Sequence, residues 1–336
     1  MDKRKIRIQD IAATAGVSNA TVSRVLNNHS VVNAETYRKV VDAMNTLGYS
    51  HTLNVRSPNG KDTSPDLIIL SLPTISNPFY NEITIGAQNA AQRFGYRVLI
   101  SNTALDSDGL NQLISLIKSN RVAGVITLNS MTSMELERLC AITNVVQCCE
   151  FCEGYDVPYV SIDDYQATRT ALNHLYSHGR KDIAFINGPL GYKYARHRQN
   201  SYVDFMREHH LPIREDQIIQ LSSVDFSIGV ASITQLLSQS SPPDAIFAIS
   251  DVLAGAAIKV AKKYGLRVPQ DLMVIGFDNI DISSMCDPTI TTINQPKSQM
   301  GYMACELLIE KISNPDVPVK QILLDTELIV RESTME

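Results

Sequence analysis

From Leu67 onward the chain alternates short apolar runs with helix-period segments, and that alternation leaves few folds open. The runs Leu67–Leu72, Arg97–Ile100, Gly124–Leu128, Val145–Gln147 and Tyr159–Ile162 are strand-sized. Between them lie helical patterns over Pro78–Phe94, Ser107–Ser119 and Ser133–Ala141. A second series follows: helix Gln166–His178, strand Ile183–Asn187, helix Ala195–His210 and strand Gln217–Leu221. Helix Ile228–Ser238, strand Ala245–Ala248, helix Asp251–Tyr264 and strand Met273–Phe277 complete it. Strands separated by helices pair in parallel, with helices covering both faces of the sheet. Two such series predict two similar α/β lobes, each a parallel doubly wound sheet. A last helix over Gln299–Ile312 and strands near Ile322–Arg331 are expected to return to the first lobe.

The first 49 residues carry a different pattern. Ile8, Ile11, Ala12 and Ala15 mark one face of a helix. Gly16 supplies the positive φ of a tight turn, and Val17 plugs that turn. Ser18 suits the N-cap of a second helix over Asn19–Leu26, with Val22, Val25 and Leu26 inward. Asn33 caps a third, Ala34–Leu47, whose inner face is Tyr37, Val40, Val41, Met44 and Leu47, and Gly48 ends it. Three short helices with a glycine turn after the first make an all-α helix-turn-helix head. In such a head the second helix enters the major groove. Here it would present Asn19, Ala20, Thr21, Ser23 and Arg24, with Ser18 and Asn27 at its ends. Asn bonds adenine through two atoms, Ala meets a thymine methyl, and Arg reads guanine or holds phosphate.

Charge supports that division. The net charge of −5 argues against a nucleic-acid binder until it is mapped. Residues 1–61 hold nine Lys and Arg against four acidic residues, a net of +5, so the remainder carries −10. A basic head on an acidic body suits a protein whose head alone meets phosphate.

At this point the chain resembles a known family. The run IQDIAATAGVSNATVSRVLNN is similar to the head of the LacI/GalR family of bacterial repressors, and TVSRVLN is a specific mark of it. The likeness continues through SNPFYNEI, SIDDYQA, NGPLGYKYARHRQNSY, ISDVLAGA and GFDNIDISSMCDPTITTINQP. It is strongest toward the cytidine-repressor branch, through CEF at Cys149–Phe151, SDVLAGA and the GFDN to TTINQP run. The resemblance implies a two-lobed body with the fold of periplasmic sugar-binding proteins. It also implies a homodimer on near-palindromic double-stranded operator DNA, with a small-molecule effector, a nucleoside or a sugar, between the lobes. No cofactor or metal is implied.

The expected organisation is a head over 1–49, a linker over 50–65 and a body over 66–336. In the family the linker forms a hinge helix on DNA, and a leucine from it wedges into the minor groove. Here that position falls on Pro58, which disfavours a helix before it and has no N–H. Leu53 or Val55 are substitutes for the wedge, with weaker kinking and tolerance of half-site spacing expected.

Ligands of such lobes lie at the carboxyl ends of the strands. Phe79 and Tyr80 follow a strand end and offer faces to a sugar or base. Phe226 is expected opposite Phe79, and Asp278 right after a strand accepts two hydroxyls. Tyr192 and Ser250 are polar partners, and Asp163 and Asp251 either grip ligand or serve structure. The resemblance adds Arg198 as the ligand-gripping guanidinium, whose fork suits ring oxygens and hydroxyls.

Other functions fit less well. The chain has no G-x-G-x-x-G, G-x(4)-G-K-[ST], G-x-S-x-G or H-E-x-x-H, and its histidines form no evident triad, so an enzyme is not expected. Cys149-x-x-Cys152 lacks partners for a closed zinc site, and the six cysteines are expected as reduced thiols. No signal sequence and no run near the ~18–20 apolar residues of a membrane span precede the body, so a secreted binding protein is set aside and a cytoplasmic, nucleoid-associated location expected. No C-terminal leucine heptad suggests a tetramer.

Overall fold

The computed structural model describes residues 8–19, 21, 22, 25, 36, 39, 40, 42, 43, 66–103 and 107–335. The chain divides into two compact units, Met1–Asp62 and Thr63–Glu336.

In the first unit, α1 spans Ile8–Ala15. Gly16 follows at φ +67°, and the Val17 N–H donates back to the Ala12 carbonyl at 3.0 Å, which closes the turn. Ser18 Oγ accepts the Thr21 N–H at 3.1 Å, so the expected N-cap is in place. Asn19, Thr21, Val22 and Val25 belong to a second helix, and Thr36, Lys39, Val40, Asp42 and Ala43 are also helical. Ile11, Ala12, Val22, Val25, Val40 and Ala43 form the core of this unit. Ala43 joins it although its small side chain did not stand out in the apolar pattern. Ala20, Ser23, Arg24 and Asn27 lie outside the described residues, as does the linker over 50–65 with Leu53, Val55 and Pro58.

The second unit contains two six-stranded sheets. The first joins β1 (Leu67–Leu72), β2 (Arg97–Asn102), β3 (Val122–Thr127), β4 (Asn144–Cys148), β5 (Tyr159–Ile162) and β11 (Gln321–Leu324). Its order is β11-β5-β4-β3-β1-β2, and every pair is parallel. The helices α2 (Phe79–Arg93), α3 (Ser107–Ser119) and α4 (Ser133–Cys140) connect its strands.

The second sheet joins β6 (Ile183–Asn187), β7 (Ile218–Gln220), β8 (Ala245–Ala248), β9 (Met273–Asp278), β10 (Thr291–Asn294) and β12 (Glu327–Ile329). Its order is β12-β10-β9-β8-β6-β7. Its helices are α5 (Asp164–Ser177), α6 (Lys193–Glu208), α7 (Phe226–Leu237), α8 (Asp251–Lys263) and the short α9 (Ile282–Met285).

Two expectations need correction. The C-terminal strands do not both return to the first lobe: β11 does, whereas β12 pairs with β10 in the second. That pair is antiparallel, so the second sheet is not wholly parallel. The reason is covalent. β11 runs parallel to its sheet and so ends at the carboxyl edge; two residues later β12 enters the second sheet from its carboxyl edge and must run against the other strands. The strand β10, inside the TTINQP run, was not expected at all, because its apolar content is a single isoleucine, Ile293.

The chain therefore crosses between lobes three times: between β5 and α5, between β10 and α10 (Lys297–Ser313), and between β11 and β12. Helix α10 packs against α2 in the first lobe through reciprocal glycines. A Cβ on Gly86 would strike the Ser298 carbonyl, and one on Gly301 would strike the Ile83 carbonyl. Two backbones in direct contact fix α2, whose first residues face the lobe boundary. Gly301→Ala is expected to cost about 1–3 kcal/mol through overpacking, read as a lower urea midpoint at unchanged slope.

Candidate ligand cleft

The carboxyl ends of both sheets face a narrow cavity. The first lobe contributes Asn77, Phe79, Tyr80, Leu128, Cys149, Glu150 and Ser161. The second contributes Asp164, Tyr194, Arg198, Val224, Ile249, Ser250 and Asp278, and Gln295 enters from the second crossing.

Arg198 is the organising cation. Its Nε and Nη2 donate to Asp164 Oδ1 at 2.9 and 2.8 Å, and Nη1 donates to the Ile249 carbonyl at 2.8 Å. The guanidinium carbon lies 3.4 Å from the Phe277 ring centroid and 5.0 Å from that of Tyr194. Asp164 also takes Lys193 Nζ at 2.8 Å, so one buried carboxylate holds two buried cations. Burial alone would raise the Asp164 pKa; Lys193 and Arg198 more than reverse this and hold it below the usual carboxylate value. These bonds leave one N–H on each terminal nitrogen of Arg198 without a partner among the described residues, in a side chain that lines the cavity.

Asp278 ends β9 at φ +102°, and Asn279 follows at +50°. Such non-glycine conformations cost about 1–3 kcal/mol each and persist only where the surroundings hold them. The holding groups are visible. Lys297 Nζ donates to the carbonyls of Asp278 and Asn279 at 2.6 and 3.1 Å, and Gln295 Nε2 donates to Asp278 Oδ1 at 2.8 Å. Asp251 pins the same loop from beneath: it accepts Thr292 Oγ1 at 2.6 Å and the Ile280 N–H at 2.8 Å.

Phe79, Tyr80, Arg198, Ser250 and Asp278 thus come together around the cavity. Phe79 and Tyr80 meet edge to face, with centroids 5.2 Å apart. Ser250 lines the wall while capping α8 through the Val252 N–H. The other residues singled out stand elsewhere. Asp163 caps α5 by accepting the Gln166 N–H, and lies on an outer groove with Tyr165 and His197. Its neighbour Asp164 is the one turned inward. Tyr192 lines a wider groove at the cleft mouth that shares Asn77, Tyr80, Tyr194 and Val224 with the inner cavity. Phe226 does not oppose Phe79: it starts α7 with Lys259 Nζ 5.2 Å from its ring centroid, and Val224 occupies the wall instead. Asp251 is fully buried behind the loop it holds.

The residues missed were Asn77, Glu150, Asp164, Tyr194 and Gln295. All five sit inside runs already quoted, so the runs were right and the facing was not. In the head, Ser18 and Asn19 are exposed, and Thr21 is half-buried with its hydroxyl 2.9 Å from Ser18 Oγ.

A helix-turn-helix head carried with a two-lobed body that closes on a polar cavity defines a DNA-binding transcriptional regulator with a small-molecule site. The comparisons agree. The model for bacterial regulatory proteins of the lacI family matches residues 7–51, and that for a periplasmic binding protein-like domain matches 172–334. The HTH-type transcriptional repressor CytR of Escherichia coli strain K12 is 35% identical over 332 residues, covering 97% of this chain and 96% of that one. The chain belongs to the lacI family of bacterial regulatory proteins. Among solved structures, an uncharacterized protein from Actinobacillus succinogenes is 35% identical with a TM-score of 0.74, over 81% of this chain and 100% of that one. The transcriptional regulator CelR in complex with cellobiose is 27% identical with a TM-score of 0.74, over 98% and 99% of the two chains.

Two carboxyls in this region are displaced upward. Burial, then the Asp278 charge, pushes Asp251 to about 8. Burial pushes Asp278 to about 7 although Arg198 opposes it. In the folded state they keep protons that the unfolded chain has already released above about pH 4. Rising pH strips protons that the fold holds, so this contribution lowers stability as pH climbs to about 8. Between pH 6.5 and 8.5 the unfolding free energy is expected to fall, and Asp251→Asn to flatten the decline; urea titrations at both pH values measure it.

Proposed function

We propose that this chain is a repressor that binds a near-palindromic operator as a homodimer, and that a nucleoside or sugar held in the cleft sets its operator affinity. The observation that carries the ligand reading is the Arg198 site. A guanidinium fixed by Asp164, Ile249 and Phe277 still has N–H groups to give, with Asp278, Gln295, Asn77 and Ser250 around the same cavity. Fixed donors beside acceptors, with the rings of Phe79 and Tyr80, match a hydroxylated ring bearing an apolar face. The cellobiose held by CelR supports a sugar-like ligand, and the likeness to CytR supports a repressor.

Ser18 and Asn19, with Ala20, Thr21, Ser23, Arg24 and Asn27, form the DNA-reading set. Two heads on one operator are needed because one head makes too few contacts. No helix among the described residues is long and apolar enough to cross a membrane. Operator binding puts the protein's site of action in the cytoplasm, at the nucleoid. Ligand and operator affinities are coupled by about 1–3 kcal/mol in both directions.

Calorimetry with ribonucleosides, pentoses and disaccharides, together with operator titrations, tests this reading. Arg198→Lys keeps the charge facing Asp164 but loses the fork; ligand affinity is expected to fall at least about tenfold with ligand-free operator binding unchanged. Asn19→Ala is expected to cost about 1–3 kcal/mol of operator binding and to leave ligand affinity intact. Matched losses in both assays for both variants would refute separate sites.

A further inference from the structure

The amino end of α6 has no cap of its own. Tyr192 stands at the N-cap without a side-chain hydrogen bond, and the first turn contains no acidic residue. Both features are unfavourable at a helix start, where free N–H groups and the positive end of the dipole call for an oxygen.

The oxygen comes from the other lobe. Glu150, two residues beyond β4, places Oε2 2.7 Å from the Lys193 nitrogen and Oε1 3.2 Å from the Tyr194 nitrogen. Both carboxylate oxygens serve the first two amides of a helix that begins 43 residues later. Two further bonds cross at the same place. Ser130 Oγ donates to the Gly191 carbonyl at 2.7 Å, and Lys193 Nζ donates to Ser161 Oγ at 3.2 Å. Glu150 also lines the cavity beside Arg198, which stands on the second turn of the helix that Glu150 caps.

We propose that Glu150 is the latch of the cleft. Its carboxylate caps α6 across the lobe boundary only while the lobes are closed, so that closure and the capping of the helix that carries Arg198 are one event. Hydrogen bonds of this kind fade within a fraction of an ångström beyond about 3.5 Å. A small separation of the lobes therefore breaks both bonds together, and the helix end has two discrete states, capped and uncapped. In the open state carboxylate and amides regain water, so release is not heavily opposed and a ligand can shift the balance. A molecule in the inner cavity lies against Glu150 and Arg198 together and so acts on the latch directly. The inference goes beyond the effector reading and is tested without any effector.

The test is hydrogen exchange read by mass spectrometry on the full-length, ligand-free chain and on Glu150→Ala, Glu150→Gln and Ser130→Ala. In Glu150→Ala, exchange over 192–197 is expected to rise about tenfold, the effect of losing a helix cap. The latch requires a parallel rise on the opposite lobe, in the cleft wall over 77–83 and the loop over 128–133. Glu150→Gln keeps one acceptor oxygen and falls between; Ser130→Ala gives a weaker form of the same two-lobe pattern. Acceleration confined to the first turn of α6 would make Glu150 a local cap and overturn the latch, as would no acceleration at all. Should Glu150→Ala not fold, the other two variants carry the same comparison.

Discussion

The cleft depends on one buried carboxylate. Asp164 sits at the first residue of α5, directly after the chain passes from one lobe to the other, and accepts from both Lys193 and Arg198. Three charges sequestered from water are tolerable only as a set. Removing the acid from such a set leaves uncompensated cations and typically costs about 3–5 kcal/mol. The two cations share a helix but do different work. Lys193 turns toward Ser161 and the Phe151 ring, whose centroid is 4.5 Å away, in the first lobe. Arg198 turns toward Ile249 and Phe277 in the second. One acid thereby ties the crossing, both lobes and the ligand-facing donor into a single electrostatic unit.

Much of the fold could be read from the residues, because parallel sheets buried on both faces write themselves as continuous apolar runs. Leu67–Leu72, Tyr159–Ile162, Ile183–Asn187 and Ala245–Ala248 matched to the residue. The failures came where pattern carries no information. The strand β12 has only three residues, and its partner is chosen by chain reach rather than by sequence. The site shows the same limit at finer scale. Asp163 and Asp164 are adjacent acids, and only the geometry of the helix start decides which one caps and which one faces the arginine. Phe226 looked like a stacking partner for Phe79 because both open helices at strand ends, but the turn before α7 sends Val224 to the wall.

The aromatic half of the cavity is set by a contact far from it. Phe79 and Tyr80 begin α2, and α2 is held by its Gly86 face against α10, where no side chain intervenes. Helix α10 in turn begins at Lys297, which grips the Asp278 loop and lies 3.3 Å from Glu82. The ring wall in one lobe and the carboxyl in the other are therefore placed by the same helix. Their spacing is a property of backbone packing, which tolerates little drift.

The three chain crossings have a consequence for how the molecule is made. The edge strand β11 completes the first sheet and β12 the second, and residues beyond β12 still contribute: Ser333 bonds Val274 and Thr291 from beneath β9 and β10. Neither sheet is complete until Gln321–Leu324 and Glu327–Ile329 have been made. Both sheets therefore close late in synthesis, and a nascent chain stalled before Gln321 would present two unfinished sheet edges to the cell's chaperones at once.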